Sequence, residues 1–137
     1  MRASVKADEK VILTTEEAML RKTEYRAELD MLVLDVNNHL KREGSFKKAD
    51  ELIDRAYKLH MGLNHFRIQL AHANNIKPKV RQQLVQVIAL IADGADGIYR
   101  GMTSARNGGD YEADFRYSTA CTEAIAVEDD ALEALIK

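Results

Sequence analysis

The chain has 137 residues, of which 46% are apolar and 31% charged, with a formal net charge of −2. That length is one domain's worth, its apolar share excludes a disordered chain, and its charged share excludes a membrane-buried one. Charge is uneven: residues 1–109 hold 18 Lys and Arg against 14 Asp and Glu, whereas 110–137 hold 2 against 8.

Met1 to Lys10 is charged and lacks an apolar centre, so no secretory signal is expected there, and no run of about 18 uncharged apolar residues follows to cross a membrane. Thr14-Thr15-Glu16-Glu17 opens the first helix with a capping box, and its acidic residues suit the helix dipole. Leu29, Leu32, Val33, Val36 and Leu40 then share one helical face. Lys41-Arg42-Glu43-Gly44 ends it, with glycine placed for a left-handed cap, giving a helix over 15–43.

The second helix has the sharpest pattern. Ala49, Leu52, Ala56, Leu59, Leu63, Phe66, Leu70 and Ala73 alternate steps of three and four, a heptad seam that asks for nearly aligned partner helices. Asn74-Asn75 is expected to end it, and Pro78 to sit in the first turn of the next helix, where no N–H is needed. The third helix carries Val80, Leu84, Val87, Ile91, Gly94 and Ile98, with a second stripe through Ile88, Ala95 and Met102. Each helix is about 27 residues and therefore roughly 40 Å long. Short connections predict an all-α, antiparallel up-down four-helix bundle.

Asn107-Gly108-Gly109-Asp110 is the clearest loop signal, and it divides a basic body, 1–109, from an acidic tail, 110–137. The tail is either part of the same domain or an appendage. Tyr111 to Ala126 is expected to form a fourth helix with Tyr117, Cys121 and Ile125 along one face. Glu128 to Lys137 either extends it or forms a separate turn.

Signals for catalysis are few. No Glu-x-x-His pair, HExxH, Cys-x-x-Cys or phosphate-cradling glycine loop occurs, so no cofactor, no metal and no enzymatic role are expected. His65 and His72 share a face that carries no nearby carboxylate or cysteine, which favours a surface or interface role over metal binding. Asp93 and Asp96 are read as a solvated face rather than a cation site. Cys121 in an acidic tail is a poor nucleophile, and a lone cysteine fits a reducing compartment, with a cytoplasmic location expected.

Two features of the third helix point to assembly. Gly94, Gly97 and Gly101 each cost roughly 1 kcal/mol relative to alanine inside a helix, which close helix approach would offset. The crossing is either inside the monomer or between subunits. The wide apolar face favours an oligomer interface at Ile91, Gly94, Ile98, Gly101 and Met102. Basic residues gather at the two bundle ends. One end takes Lys41, Arg42, Lys47, Lys48, Arg100 and Arg106. The other takes Arg67, Lys77, Lys79 and Arg81, joined by Arg21, Lys22 and Arg26. Such clusters suit phosphate contacts, which give affinity without sequence readout; ordinary solvated helix ends are the alternative.

Residues 29–103 also resemble a known family. The carrying stretches are Glu51-Leu52-Ile53-Asp54-Arg55-Ala56-Tyr57-Lys58-Leu59 and Leu63-Asn64-His65-Phe66-Arg67-Ile68-Gln69-Leu70-Ala71. The Asn-Asn-Ile-Lys-Pro turn and Gly97-Ile98-Tyr99-Arg100-Gly101 are similar in placement. Together they are similar to the four-helix-bundle accessory variability determinant family of diversity-generating retroelements. The resemblance implies a non-enzymatic homo-oligomer, commonly a pentamer, that binds the retroelement's reverse transcriptase and RNA to support mutagenic copying of a template repeat. The chain departs from the family in that residues 1–13 are too short and charged for its aromatic-rich first helix, and Tyr117, Cys121 and Ile125 motivate the expectation that the tail takes that place. A protein–protein adaptor, phage or bacterial, with no nucleic-acid role is the rival expectation.

Overall fold

The computed structural model describes residues 13–42 and 45–137. They form four helices and no strand: α1 (Thr15–Lys41), α2 (Phe46–Ala71), α3 (Pro78–Arg106) and α4 (Glu112–Ile136).

Local chemistry sets most of the ends. Thr14 Oγ1 accepts from the Glu17 backbone N–H at 3.0 Å, and the Glu17 carboxylate accepts from the Thr14 N–H at 3.4 Å, closing the capping box. Ser45 caps α2 by accepting from the Lys48 N–H at 3.2 Å. Pro78 lies in the first turn of α3. Arg42 follows the last residue of α1, and the expected glycine cap at Gly44 lies outside the described residues. Helix α2 stops at Ala71, three residues short of Asn74, where the His72 and Ala73 N–H groups turn to the Gln69 and Leu70 carbonyls in tighter three-residue bonds. The Arg81 guanidinium donates to the Ala73 carbonyl at 3.1 Å, and the Asn75 amide donates to the Leu13 carbonyl at 2.6 Å. Gly108, at φ +79°, makes the reversal into α4 in the left-handed region that favours glycine.

Packing follows the apolar periodicity. All eight residues of the α2 seam are buried, as are Leu29, Leu32 and Val36 of α1 and both stripes of α3. Full burial of a Leu, Ile or Phe contributes roughly 1.5–3 kcal/mol, so the seam outweighs caps worth about 1 kcal/mol each. Helix α4 runs unbroken and adds Ile125 and Leu132 to the same core cluster. Its buried face is Ser118, Cys121, Ile125, Asp129 and Leu132. Tyr117, expected on that face, is 51% exposed: at 100° per residue it stands well off the line through Ser118 and Cys121.

Contacts between helices run in opposite residue order. Arg21 meets Gln69, Tyr25 meets the Gly62 carbonyl, and Asp35 meets Arg55. His60 donates from Nδ1 to the Ala92 carbonyl, and Arg106 pairs with Asp50. Gln83 donates to the Glu128 carbonyl, and Ser118 donates to the Gly94 carbonyl.

The α3 glycines serve this interior. A Cβ on Gly97 would stand 3.0 Å from the Asp114 carbonyl oxygen and 3.0 Å from Ser118 Cβ, and one on Gly101 would strike the Phe115 ring. Gly94 faces Leu29 and Cys121. Ile91, Gly94, Ile98, Gly101 and Met102 are all buried within the single chain, so the seam expected to meet a second subunit is filled by α1 and α4 instead. The unusually wide apolar face of α3 arises because the helix has three neighbours of its own.

Candidate nucleic-acid interface

The two middle helices begin against the usual electrostatic rule. Acidic residues favour a helix N-terminus, where the unpaired N–H groups concentrate positive potential, and α1 and α4 obey with Glu16 and Glu17, and Glu112 and Asp114. Helices α2 and α3 have no acidic residue in the first turn. They carry Lys47 with Lys48, and Lys77 with Lys79, around those ends instead. Lysines there are unfavourable for the helix, and the positive potential they reinforce attracts anions.

At the α1–α2 turn, chain continuity brings Lys41, Arg42, Lys47 and Lys48 together, and all four are exposed. Arg42 and Lys48 line one shallow cleft with Asp35, Asn38 and His39. Within it, His39 Nδ1 is buried with no hydrogen-bond partner among the described residues. Lys41, Arg42 and Lys47 form no ion pair among the described residues, and Lys48 stands 4.0 Å from Glu51. The Arg106 guanidinium joins this end by stacking on Phe46, 4.2 Å from its centroid. It is bound to Asp50 at 3.0 Å, and Arg100 is bound to Asp96 at 3.0 Å. Those two arginines are therefore partly neutralised, and Asp96 is no free face.

The other end is more divided. Arg67, Lys77 and Lys79 have no ion pair among the described residues, while Arg81 is spent on the Ala73 carbonyl. Arg21 lies over the Phe66 ring at 4.1 Å and donates to Gln69. Lys22 departs furthest from the expectation of a surface cation. It is 2% exposed, and its Nζ meets Asp129 Oδ1 at 2.7 Å while Arg26 meets Oδ2 at 2.7 Å. A buried lysine requires such a partner. The signal was present in its spacing, since Ala18, Lys22, Leu29, Leu32 and Val36 share one face.

One feature escaped the sequence reading. Leu20, Met31 and Leu34 of α1 are 60%, 55% and 52% exposed, on the side away from the core. With Ala27 they step by seven, four and three, a second stripe hidden behind the first. Tyr57, Met61 and Ile68 of α2 likewise face outward. An open groove of about 530 Å³ runs between the two helices past Tyr25, Met31, Leu59 and Gly62.

Burial pushes the Cys121 thiol above its ordinary range, which disfavours the nucleophilic thiolate. The Asp93 charge chiefly raises the neighbouring Tyr117 hydroxyl. Among the described residues, no group of three or more His, Cys, Asp or Glu is placed to hold a metal ion, and no helix is long and apolar enough to cross a membrane. No protein-family model, curated protein or solved structure matches the chain.

Proposed function

We propose that this chain is a non-enzymatic accessory protein of a diversity-generating retroelement that binds the reverse transcriptase and its template RNA. It works as an antiparallel up-down bundle assembled into a homo-oligomer, a pentamer on the resemblance, in the cytoplasm. The opposite residue order of the helix contacts supports the topology, and the resemblance of residues 29–103 supports the family role. The observation that carries RNA binding is the α1–α2 turn, where Lys41, Arg42 and Lys47 stand exposed without ion pairs among the described residues, beside a helix start that already favours anions. Arg67, Lys77 and Lys79 offer a second contact at the other helix start. Assembly uses the outward stripes of α1 and α2, since the α3 seam is occupied. Aromatic side chains for base stacking are few, so the contacts are with phosphates and recognise RNA shape rather than sequence.

Reversing Lys41, Arg42 and Lys47 to Glu tests the reading. Structured-RNA binding should weaken, and the slope of log affinity against log salt should fall by roughly two to three, one increment per lost phosphate contact. The same reversal at Arg100 and Arg106 should do less, because their partners already offset them. Unchanged RNA binding after the triple reversal refutes the site.

The exposed Leu20, Met31 and Leu34 favour a second reading, an adaptor that docks a protein partner with no nucleic-acid role. A chain that ignores RNA but associates through α1 would select it.

A further inference from the structure

Helices α1 and α4 do not pack closely on each other, and side chains bridge the space between them. Asp129 draws in Lys22 and Arg26 near the start of α1. Toward the far end of α1 the two helices leave a cleft of about 200 Å³, floored by Val33, Val36, Ile98 and Phe115. Asn37, Ser118, Thr119, Thr122 and Glu123 form its polar part. No lysine or arginine lines it.

The hydroxyl protons of this rim are already committed. Ser118 donates to the Gly94 carbonyl at 2.8 Å, Thr119 to the Phe115 carbonyl at 3.0 Å, and Thr122 to the Ser118 carbonyl at 3.0 Å. Each oxygen therefore presents only lone pairs to an occupant. The Glu123 carboxylate, exposed and without an ion pair among the described residues, adds the one formal charge. An apolar floor with acceptors and a negative charge at its edge suits a donor that is itself cationic.

We infer that the α1–α4 cleft binds a small protonated amine carrying a compact apolar body. The apolar part covers Val33, Val36, Ile98 and Phe115, and the ammonium reaches Glu123 and the threonine oxygens. A carboxylate of the same shape finds only the Asn37 amide as a side-chain donor and is repelled by Glu123. The site lies apart from the α1–α2 turn, so the inference stands or falls independently of RNA binding.

The test is an NMR titration of the full chain with 2-phenylethylamine, phenylacetate and 2-phenylethanol. The amine should shift resonances of Val33, Ile98 and Thr119 saturably, with a dissociation constant on the order of a millimolar, as befits so few atoms. The alcohol should bind more weakly and the carboxylate not at all. Glu123→Gln should weaken the amine about fivefold or more and leave the alcohol unchanged. Because Glu123 is exposed, the variant should keep its helical circular dichroism and melting temperature. No saturable shift up to about 50 mM amine, equal binding of phenylacetate, or an amine affinity indifferent to Glu123→Gln overturns the inference.

Discussion

Helix α4 approaches the α3 backbone closely, whereas α1 adds long polar side chains to its buried apolar face. On the α3–α4 side, Gly97 leaves no room for a methyl group against Asp114 and Ser118, and a serine hydroxyl bridges directly to the Gly94 carbonyl. On the α1 side, Arg21 spans to Gln69, Arg55 to Asp35, and Lys22 and Arg26 to Asp129. Small residues fix a helix by excluding alternatives, because a close-packed contact has one fit. Long polar side chains hold it by specific pairs that can be broken singly. Helix α1 also keeps a second apolar stripe for solvent or a partner, while both apolar stripes of α3 are buried. The acidic segment 110–137, which raw charge marks as separate, packs closely on α3.

Breaking the ion cluster should give the largest effect. Asp129→Ala leaves Lys22 buried without a partner and should lower stability by about 3–5 kcal/mol in urea denaturation. Replacing Lys22 and Asp129 together with Met and Leu should recover most of that loss, because no buried charge is left unpaired and Arg26, 37% exposed, is solvated. A double variant as unstable as Asp129→Ala would mean that the pair does more than neutralise itself.

Gly97→Ala comes next. Its methyl meets α4 backbone, which cannot swing aside, so a cost of about 1–3 kcal/mol should exceed the roughly 1 kcal/mol gained in helix propensity. Gly94→Ala meets the tip of Leu29 at 3.1 Å, a side chain able to give way, and should be nearly neutral. Equal melting temperatures for the two variants would remove the distinction drawn between backbone and side-chain contact.

Leu34→Lys on the outer face of α1 should change monomer stability by no more than about 0.5 kcal/mol, yet reduce self-association in sedimentation. The smallest effect belongs to Cys121. Burial raises its thiol, so as pH climbs the unfolded chain releases that proton before the folded one. The resulting stability is present below the ordinary thiol range and is lost as pH rises through it. Cys121→Ala should therefore show a shallower decline in stability between about pH 7 and 10 than the parent chain.

Much of this was readable from residue order. The α2 seam, the Thr14–Glu17 box and the helix start at Pro78 are local or periodic, and the structure keeps all three. The clamp was not readable: Lys22 and Asp129 are 107 positions apart, and neither residue announces the other. Nor does spacing tell whether a glycine faces a subunit or a neighbour, since Gly97 and Gly101 present the same surface to either. For the basic ends, sequence supplies the charges but not their partners. Arg100 and Lys47 look alike on paper, yet one is paired with Asp96 and the other has no ion pair among the described residues.

The central claim, an assembling chain that holds RNA by its basic α1–α2 turn, is tested most directly by light scattering of the purified protein with and without structured RNA at low and moderate salt. The account predicts a defined oligomer that takes up RNA at low salt and releases it steeply as salt rises. A monomer whose mass is indifferent to RNA at either salt would contradict it.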